Sequence, residues 1–143
     1  MKRYLILALL FVAAIGCTQT LTYTDAATLS WDAVTTLEDA SPIPPGDVIE
    51  YEVGRSVYPI ADRLIPEVIE GLTLTPGMAI SVPQDGNTYG YALRTKRTTD
   101  GGATVLISAW NWSDVNGLET PQPFLFKGRS VVLPNIPLGF AGS

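Results

Sequence analysis

Apolar and polar residues alternate along much of the chain after residue 25, as expected for strands that bury one face of a sheet. The alternation is clearest in three segments, 27–34, 48–56 and 88–97. Because neighbouring side chains of a strand point to opposite faces, each segment predicts one buried face. The predicted inward-facing residues are Ala27, Leu29, Trp31 and Ala33 in the first segment, Ile49, Tyr51 and Val53 in the second, and Tyr89, Tyr91, Leu93 and Thr95 in the third.

Shorter apolar runs and turn-forming residues predict the remaining elements. The stretch 35–47 contains three prolines and is predicted to be a loop, and the Asp-Gly pair within 98–102 predicts a hairpin turn. The stretch 57–77 has weak helical spacing that Pro66 interrupts, so we predict irregular structure with an edge strand near its end. The further predicted strands are 68–74, 78–82, 103–112 and 124–133.

The length and the residue composition favour one all-β domain. A chain of 143 residues is long enough for one ordinary domain with appendages and too short for two. Its thirteen glycines and eleven prolines are scattered, which indicates many short connections. Six or seven short strands within about 110 residues predict an antiparallel β-sandwich.

The first seventeen residues have the layout of a secretory signal peptide. A basic segment, "MKR", is followed by twelve apolar residues, and a glycine precedes Cys17. An apolar run of this length is too short to cross a bilayer as a mature helix, which takes about 20 residues. A buried core helix is the alternative interpretation of the same run.

The sequence "AIGC" at the end of this leader resembles the lipobox of bacterial lipoproteins. The resemblance implies a signal peptide at 1–16, a lipidated Cys17 and a polar tether at 17–25. Several acyl chains on one residue would anchor the chain firmly to the cell envelope, and lipidation accounts for the single cysteine of an exported protein. By the same resemblance, Thr18 instead of an aspartate after the cysteine favours the outer membrane.

The order of aromatic residues in the predicted strands resembles that of a fibronectin type III domain. The rings stand in segments that correspond to strands B, C and F of that family, and they are Trp31, Tyr51, Tyr89 and Tyr91. The resemblance implies a fibronectin type III-like, immunoglobulin-like antiparallel β-sandwich at 26–135, with these rings in its core, and a flexible tail at 136–143. The segment 54–78 matches the family poorly.

The charge and the residue content argue against several kinds of function. The net charge is −5, and the chain without its leader carries seven basic against fourteen acidic side chains, which disfavours nucleic-acid binding. The chain has no histidine and one cysteine, which excludes the usual zinc sites and Cys/His catalytic sites. We therefore predict no metal, no cofactor and no enzymatic activity.

Three cations are candidates for a binding surface. Arg94, Lys96 and Arg97 stand together at the end of a predicted strand, where they would dock an anionic glycan or partner, or pair with Glu50 and Glu52 across the sheet. The two glutamates share one strand face at a spacing of about 7 Å, which some inverting glycosidases use. A solvated strand face that keeps the sheet soluble is the simpler interpretation of the two glutamates.

Two tryptophans complete the candidate surface. Trp110 and Trp112 fall on the same face of a predicted strand, where they would stack on sugar rings, or else cover the core or Arg94. We therefore expect a lipoprotein that is anchored to membrane lipid through Cys17 and binds a protein or glycan of the envelope or the cell exterior. Alternatives are a structural subunit of a surface fibre or envelope complex, and an accessory domain of an envelope enzyme system.

Overall fold

The computed structural model describes residues 19–115 and 122–129. The predicted signal peptide, Cys17 and the predicted tail at 136–143 lie outside these residues. The described part forms nine strands and one short 3-10 turn at Asp100–Gly102. The strands are β1 Thr20–Tyr23, β2 Ala26–Ser30, β3 Val48–Val57, β4 Val68–Thr73, β5 Gly77–Ser81, β6 Thr88–Thr98, β7 Val105–Ile107, β8 Asn111–Trp112 and β9 Phe124–Lys127.

The strands form a large sheet and a small sheet, as predicted for an all-β chain. The large sheet runs in the order β1-β9-β6-β3-β4, and β7 and β8 also pair with β6. The small sheet consists of β2 and β5. Because β3 pairs with one edge of β6, the short strands β7, β8 and β9 share the other edge one after another.

The core lies between the two sheets. Its buried cluster combines Val53 of β3 and Tyr89 and Tyr91 of β6 with Ile80 and Val82 from the small-sheet side. Tyr51 is also buried, and its ring centroid lies 5.4 Å from that of the partly buried Trp31. Period-two alternation therefore places the aromatic residues inside, where each large ring fills much of the space between sheets about 10 Å apart.

A long connection covers part of the opposite face of the large sheet. Residues 58–67, here called the strap, join β3 to β4 and cross two glycines that have no side chain to obstruct them. A Cβ atom on Gly54 would lie 2.6 Å from Pro66, and one on Gly90 would lie 2.7 Å from Ile60. The sequence predicts irregular structure here, but it does not predict that this structure packs on the sheet.

Four predicted segments differ from the structure. The strand predicted at 27–34 ends at Ser30 as β2, and Ala33, which the prediction places inward, is exposed. Residues Thr20–Tyr23, which the prediction assigns to the tether, form β1 and pair in parallel with β9. The predicted return strand 103–112 is divided into β7 and β8, because the chain leaves the ladder between Ile107 and Asn111. The strand β9 ends at Lys127, and residues 130–133 of the predicted last strand lie outside the described residues. The edge strand predicted at 68–74 is present as β4.

An ion pair lies on the inward face of the large sheet. Arg55 pairs with Glu70, and the Arg55 guanidinium lies 5.4 Å from the centre of the Tyr89 ring. Glu70 stands where the pairing of β3 with β4 shifts by one residue, between the Val53–Gly71 and Gly54–Ile69 pairs. A bulge of this kind turns a side chain away from its regular alternation.

Candidate functional site

The three predicted cations are each paired with an acid. The register of β3 and β6 places Arg94 opposite Glu52 and Lys96 opposite Glu50, and both pairs form ion pairs. Arg97 lies on the other face of β6 and binds Asp47, with its Nε atom 2.5 Å from Oδ2. Five of the seven basic side chains of the chain after its leader are ion-paired in the described part. This neutralisation leaves little charge for an anionic partner.

The two predicted tryptophans have different environments. Trp110 is partly exposed, and the Arg94 guanidinium lies 4.3 Å from the centre of its ring. Trp112 is only 3% exposed, and its Nε1 donates a hydrogen bond of 2.9 Å to the Arg63 carbonyl oxygen of the strap. Of the two alternatives for the tryptophans, a binding surface does not fit Trp112, because its ring is buried, whereas the contact with Arg94 is present at Trp110.

A groove opens along the edge of β2 that does not face β5. The Asp25 carbonyl oxygen and the Trp31 amide both form hydrogen bonds on the β5 side. In an antiparallel pair, the backbone groups of successive residues point alternately towards the partner strand and away from it. The backbone groups of Thr28 and Ser30 therefore point away from β5. Among residues 19–115 and 122–129, β2 pairs with no strand except β5. The outer edge of β2 therefore offers unpaired donors and acceptors.

The floor of the groove is apolar over most of its length. A cleft of about 420 Å³ lies between the edge of β2 and strands β8 and β9. Its apolar lining comes from both sheets and includes Leu29, Trp31, Val53, Tyr91, Leu93, Phe124 and Phe126. The cleft matches the place where a further strand of the sandwich would bury its side chains.

The groove continues into a second cleft that is acidic. This cleft, of about 830 Å³, shares Ser30, Trp31, Leu93 and Asn111 with the first one and extends to Trp110. Asp32 and Glu38 line it, and neither carboxylate has a hydrogen bond or an ion pair within the described residues. Arg94 also borders the cleft, but Glu52 already neutralises it. One end of the groove is therefore apolar and the other negatively charged.

Two polar atoms beside the apolar cleft have no hydrogen-bond partner among the residues that the structure describes. They are the Nε1 atom of Trp31 and the hydroxyl oxygen of Tyr91, both buried within the described part. Burial raises the pKa of the Tyr91 phenol to about 12, with a smaller opposing effect from the positive charge of Arg55. Tyr51 differs, because its hydroxyl oxygen accepts a hydrogen bond of 2.8 Å from the Val34 amide.

The two tyrosines should respond differently to loss of their hydroxyl groups. We expect Tyr91→Phe to match or exceed the wild-type free energy of unfolding at neutral pH, because it removes an unsatisfied polar group, whereas Tyr51→Phe should lose about 1 kcal/mol. Folding raises the pKa of Tyr91 from its ordinary value of 10 to about 12. The unfolded chain therefore ionises at lower pH than the folded one, so this contribution to the free energy of unfolding is complete below pH 10 and is lost as the pH rises towards 12. Urea titrations from pH 7 to pH 12 measure both effects.

Tyr91→Phe should therefore show a shallower alkaline loss of stability than the wild type. The Tyr51→Phe variant is the matched control, since it removes the same atom from a residue of equal size in the same core. A Tyr91→Phe variant that is destabilised as much as Tyr51→Phe at neutral pH would contradict the assignment of an unsatisfied hydroxyl at Tyr91.

Metal binding and membrane crossing are two features that the described residues do not display. No group of three or more acidic, cysteine or histidine side chains among them is arranged to hold a metal ion. Within the same residues, no helix is long and apolar enough to cross a membrane. Glu50 and Glu52 are each ion-paired on the strand face.

Sequence reasoning missed the groove beside β2, although it placed Leu29 and Trp31 on a buried face. The groove exists because β1 pairs with β9 and leaves one edge of β2 open, a choice that alternation alone does not reveal. Comparison with known proteins gives no match: no family model, no curated protein and no solved structure is significantly similar to this chain.

Proposed function

We propose that this protein is a lipid-anchored envelope protein with a fibronectin type III-like domain that binds an extended segment of another protein along β2. The groove formed by the two adjoining clefts and the open edge of β2 is the observation that carries this proposal. The anchor rests on the lipobox-like sequence before Cys17. The strand order supports the fold assignment, because β2 and β5 form one sheet and β3, β6 and the β7–β9 edge form the other.

The chemistry of the groove specifies the occupant. An added strand would pair with the outward backbone groups of Thr28 and Ser30, as in other complexes formed by β-strand addition. Its alternate side chains would enter the apolar cleft beside Leu29 and Phe124. At the other end it would present a lysine or arginine to the carboxylates that line the acidic cleft.

A protein segment suits this site better than a glycan does. Stacking on sugars would require exposed ring faces on Trp110 and Trp112. The Trp112 ring is buried, and the Arg94 guanidinium lies over the Trp110 ring. An open strand edge supplies main-chain hydrogen bonds that a polypeptide matches along its length. Lipidation would hold the groove near the membrane and raise its effective concentration towards envelope partners.

A peptide-display selection tests this binding mode. The probe is a library of ten-residue peptides, selected on the purified chain without its leader. We expect the selected peptides to alternate apolar residues and to end in a basic residue. Thr28→Pro removes an outward amide while leaving the β5 ladder intact, so it should weaken binding by at least about tenfold. Ala79→Ser, on the outer face of the small sheet, is the control and should bind normally.

The outcomes of this selection separate the candidate functions. Selected peptides that bind the Thr28→Pro variant as tightly as the wild type would contradict strand addition at β2. If the protein self-associates and Thr28→Pro abolishes the self-association, the occupant is a second copy. That result would favour the structural-subunit alternative, which the open strand edge also supports.

A further inference from the structure

Two aliphatic side chains project into solvent from the apex of the strap. Leu64 is 82% exposed and Ile65 is 69% exposed, the two largest fractions among the large apolar side chains of the described part. Adjacent exposed residues of this size carry a free-energy cost in water, and they are a common feature of surfaces that contact another phase or partner.

The apex is held in place by polar contacts. The Arg63 carbonyl oxygen accepts a hydrogen bond from buried Trp112, and the Arg63 guanidinium binds both carboxylate oxygens of Asp114 at 2.7 and 2.8 Å. The Asp62 carboxylate accepts a hydrogen bond of 2.8 Å from the Leu64 amide. The exposure of Leu64 and Ile65 is therefore a feature of a fixed turn.

The same cluster is connected to Gln19, which directly precedes β1. The Gln19 side chain donates a hydrogen bond of 3.4 Å to the carbonyl oxygen of Asp114, the residue that binds Arg63. The Thr20 amide donates to the Pro123 carbonyl oxygen at 2.9 Å, which fixes the first residue of β1 in the sheet. Only Thr18 separates Gln19 from Cys17, so the Cα atoms of Gln19 and Cys17 are at most about 7 Å apart.

We infer that Leu64 and Ile65 insert into the surface of the bilayer that anchors Cys17. This inference rests on the proposed lipidation: with a tether of one residue, Thr18, in place of the eight residues 18–25 predicted from the sequence, the Gln19 end of the domain lies against the membrane. The contacts through Asp114 and Arg63 bring the strap apex to that end. Two inserted aliphatic side chains add a second attachment point to the acyl chains and fix the orientation of the domain.

This orientation leaves the groove beside β2 accessible. The strap covers one face of the large sheet, whereas the small sheet packs on the other face of the large sheet. A bilayer on the strap side is therefore separated from β2 and β5 by the thickness of the sandwich. The membrane contact at Leu64 and Ile65 therefore lies on the face opposite to the edge of β2, and the acidic cleft reaches the strap face only at Arg94 and Trp110.

Fluorescence on the lipidated protein in vesicles tests the insertion. The full chain is produced with its leader and reconstituted into vesicles of phosphatidylethanolamine and phosphatidylglycerol. Leu64→Cys and Ile65→Cys each provide one reactive thiol for an environment-sensitive nitrobenzoxadiazole dye, since acylation blocks Cys17. Ala79→Cys, on the outer face of the small sheet, is the matched control. Intact mass reports acylation, and circular dichroism reports folding.

Dyes at positions 64 and 65 should shift to shorter wavelength and lose at least about half of their fluorescence to lipids that carry a spin label near the headgroup. The dye at position 79 should show neither change. Equal quenching at all three positions in a protein with an acylated Cys17 would overturn the insertion and leave the anchor standing. A mature protein without acyl groups would overturn the anchor, and the inference with it.

Discussion

Replacing Trp112 with alanine should lower the free energy of unfolding by about 3 to 5 kcal/mol, the range for large aromatic residues removed from a core. The ring is 3% exposed and donates a hydrogen bond to the strap, so the substitution removes both apolar burial and the partner of the Arg63 carbonyl oxygen. Because this contact fixes the apex, the strap should also lose protection against amide hydrogen exchange. Urea unfolding monitored by circular dichroism measures the first effect.

Trp110→Ala is the matched control for this experiment. Trp110 comes two residues earlier, is partly exposed, and contacts the Arg94 side chain in a cation–π arrangement. Its loss should cost about 0.5 to 1 kcal/mol, the usual range for such contacts at exposed sites. Similar destabilisation by the two substitutions would contradict the difference in burial, and with it the conclusion that the strap removes Trp112 from any binding surface.

The two tryptophans show how far alternation can predict a fold. Trp112 pairs with Ala92, so its ring lies on the face of β6 that carries Ala92. Arg94 lies two residues further along β6 on the same face, and it contacts the Trp110 ring. The two tryptophan rings therefore lie on one face of the sheet, as the sequence predicts. Alternation assigns a side chain to a face, but it does not say what covers that face. Burial of Trp112 depends on a connection about fifty residues away in sequence, and no local pattern marks that contact.

The inner face of the sheet was more predictable. Tyr51, Tyr89 and Tyr91 are buried because strands alternate with a period of two, and a half-covered sheet places its large apolar residues on the covered side. Arg55 follows the same alternation and also faces inward, where a bulge at Glu70 supplies its partner. Such a bulge inserts one residue into a strand, so the pairing of Arg55 cannot be obtained from periodicity.

The sequence does not predict the candidate groove, and the reason is a different one. Each of its walls was predictable as a strand, but the groove depends on which strand edges remain unpaired. The segment Thr20–Tyr23 is polar enough to be interpreted as a tether, yet its backbone pairs with β9. Backbone pairing does not require an apolar face, so a polar strand at the edge of a sheet leaves a weak signal in the sequence.

Gly54 is a sequence feature that marks where the strap packs on the sheet, and this contact can be tested directly. A glycine within a strand often marks a site where another part of the backbone approaches closely, because any side chain would occupy that space. A Cβ atom there would lie 2.6 Å from both Cβ and Cγ of Pro66 and 3.2 Å from the Val68 carbonyl oxygen. The proline ring is rigid, so the strap or the strand would have to shift.

We therefore expect Gly54→Ala to destabilise the domain by about 1 to 3 kcal/mol, the usual cost of adding an atom to a packed site. In a strand without this contact, alanine would be neutral or favourable. Gly71→Ala is the matched control, because its Cβ atom would lie 3.3 Å from the mobile end of the Met78 side chain. Combining Gly54→Ala with Pro66→Gly should recover part of the loss, since the second change removes the ring atoms that collide. Chemical denaturation of the wild type, the two single variants and the double variant measures this coupling. Strict additivity of Gly54→Ala and Pro66→Gly would show that the strap does not pack on Gly54.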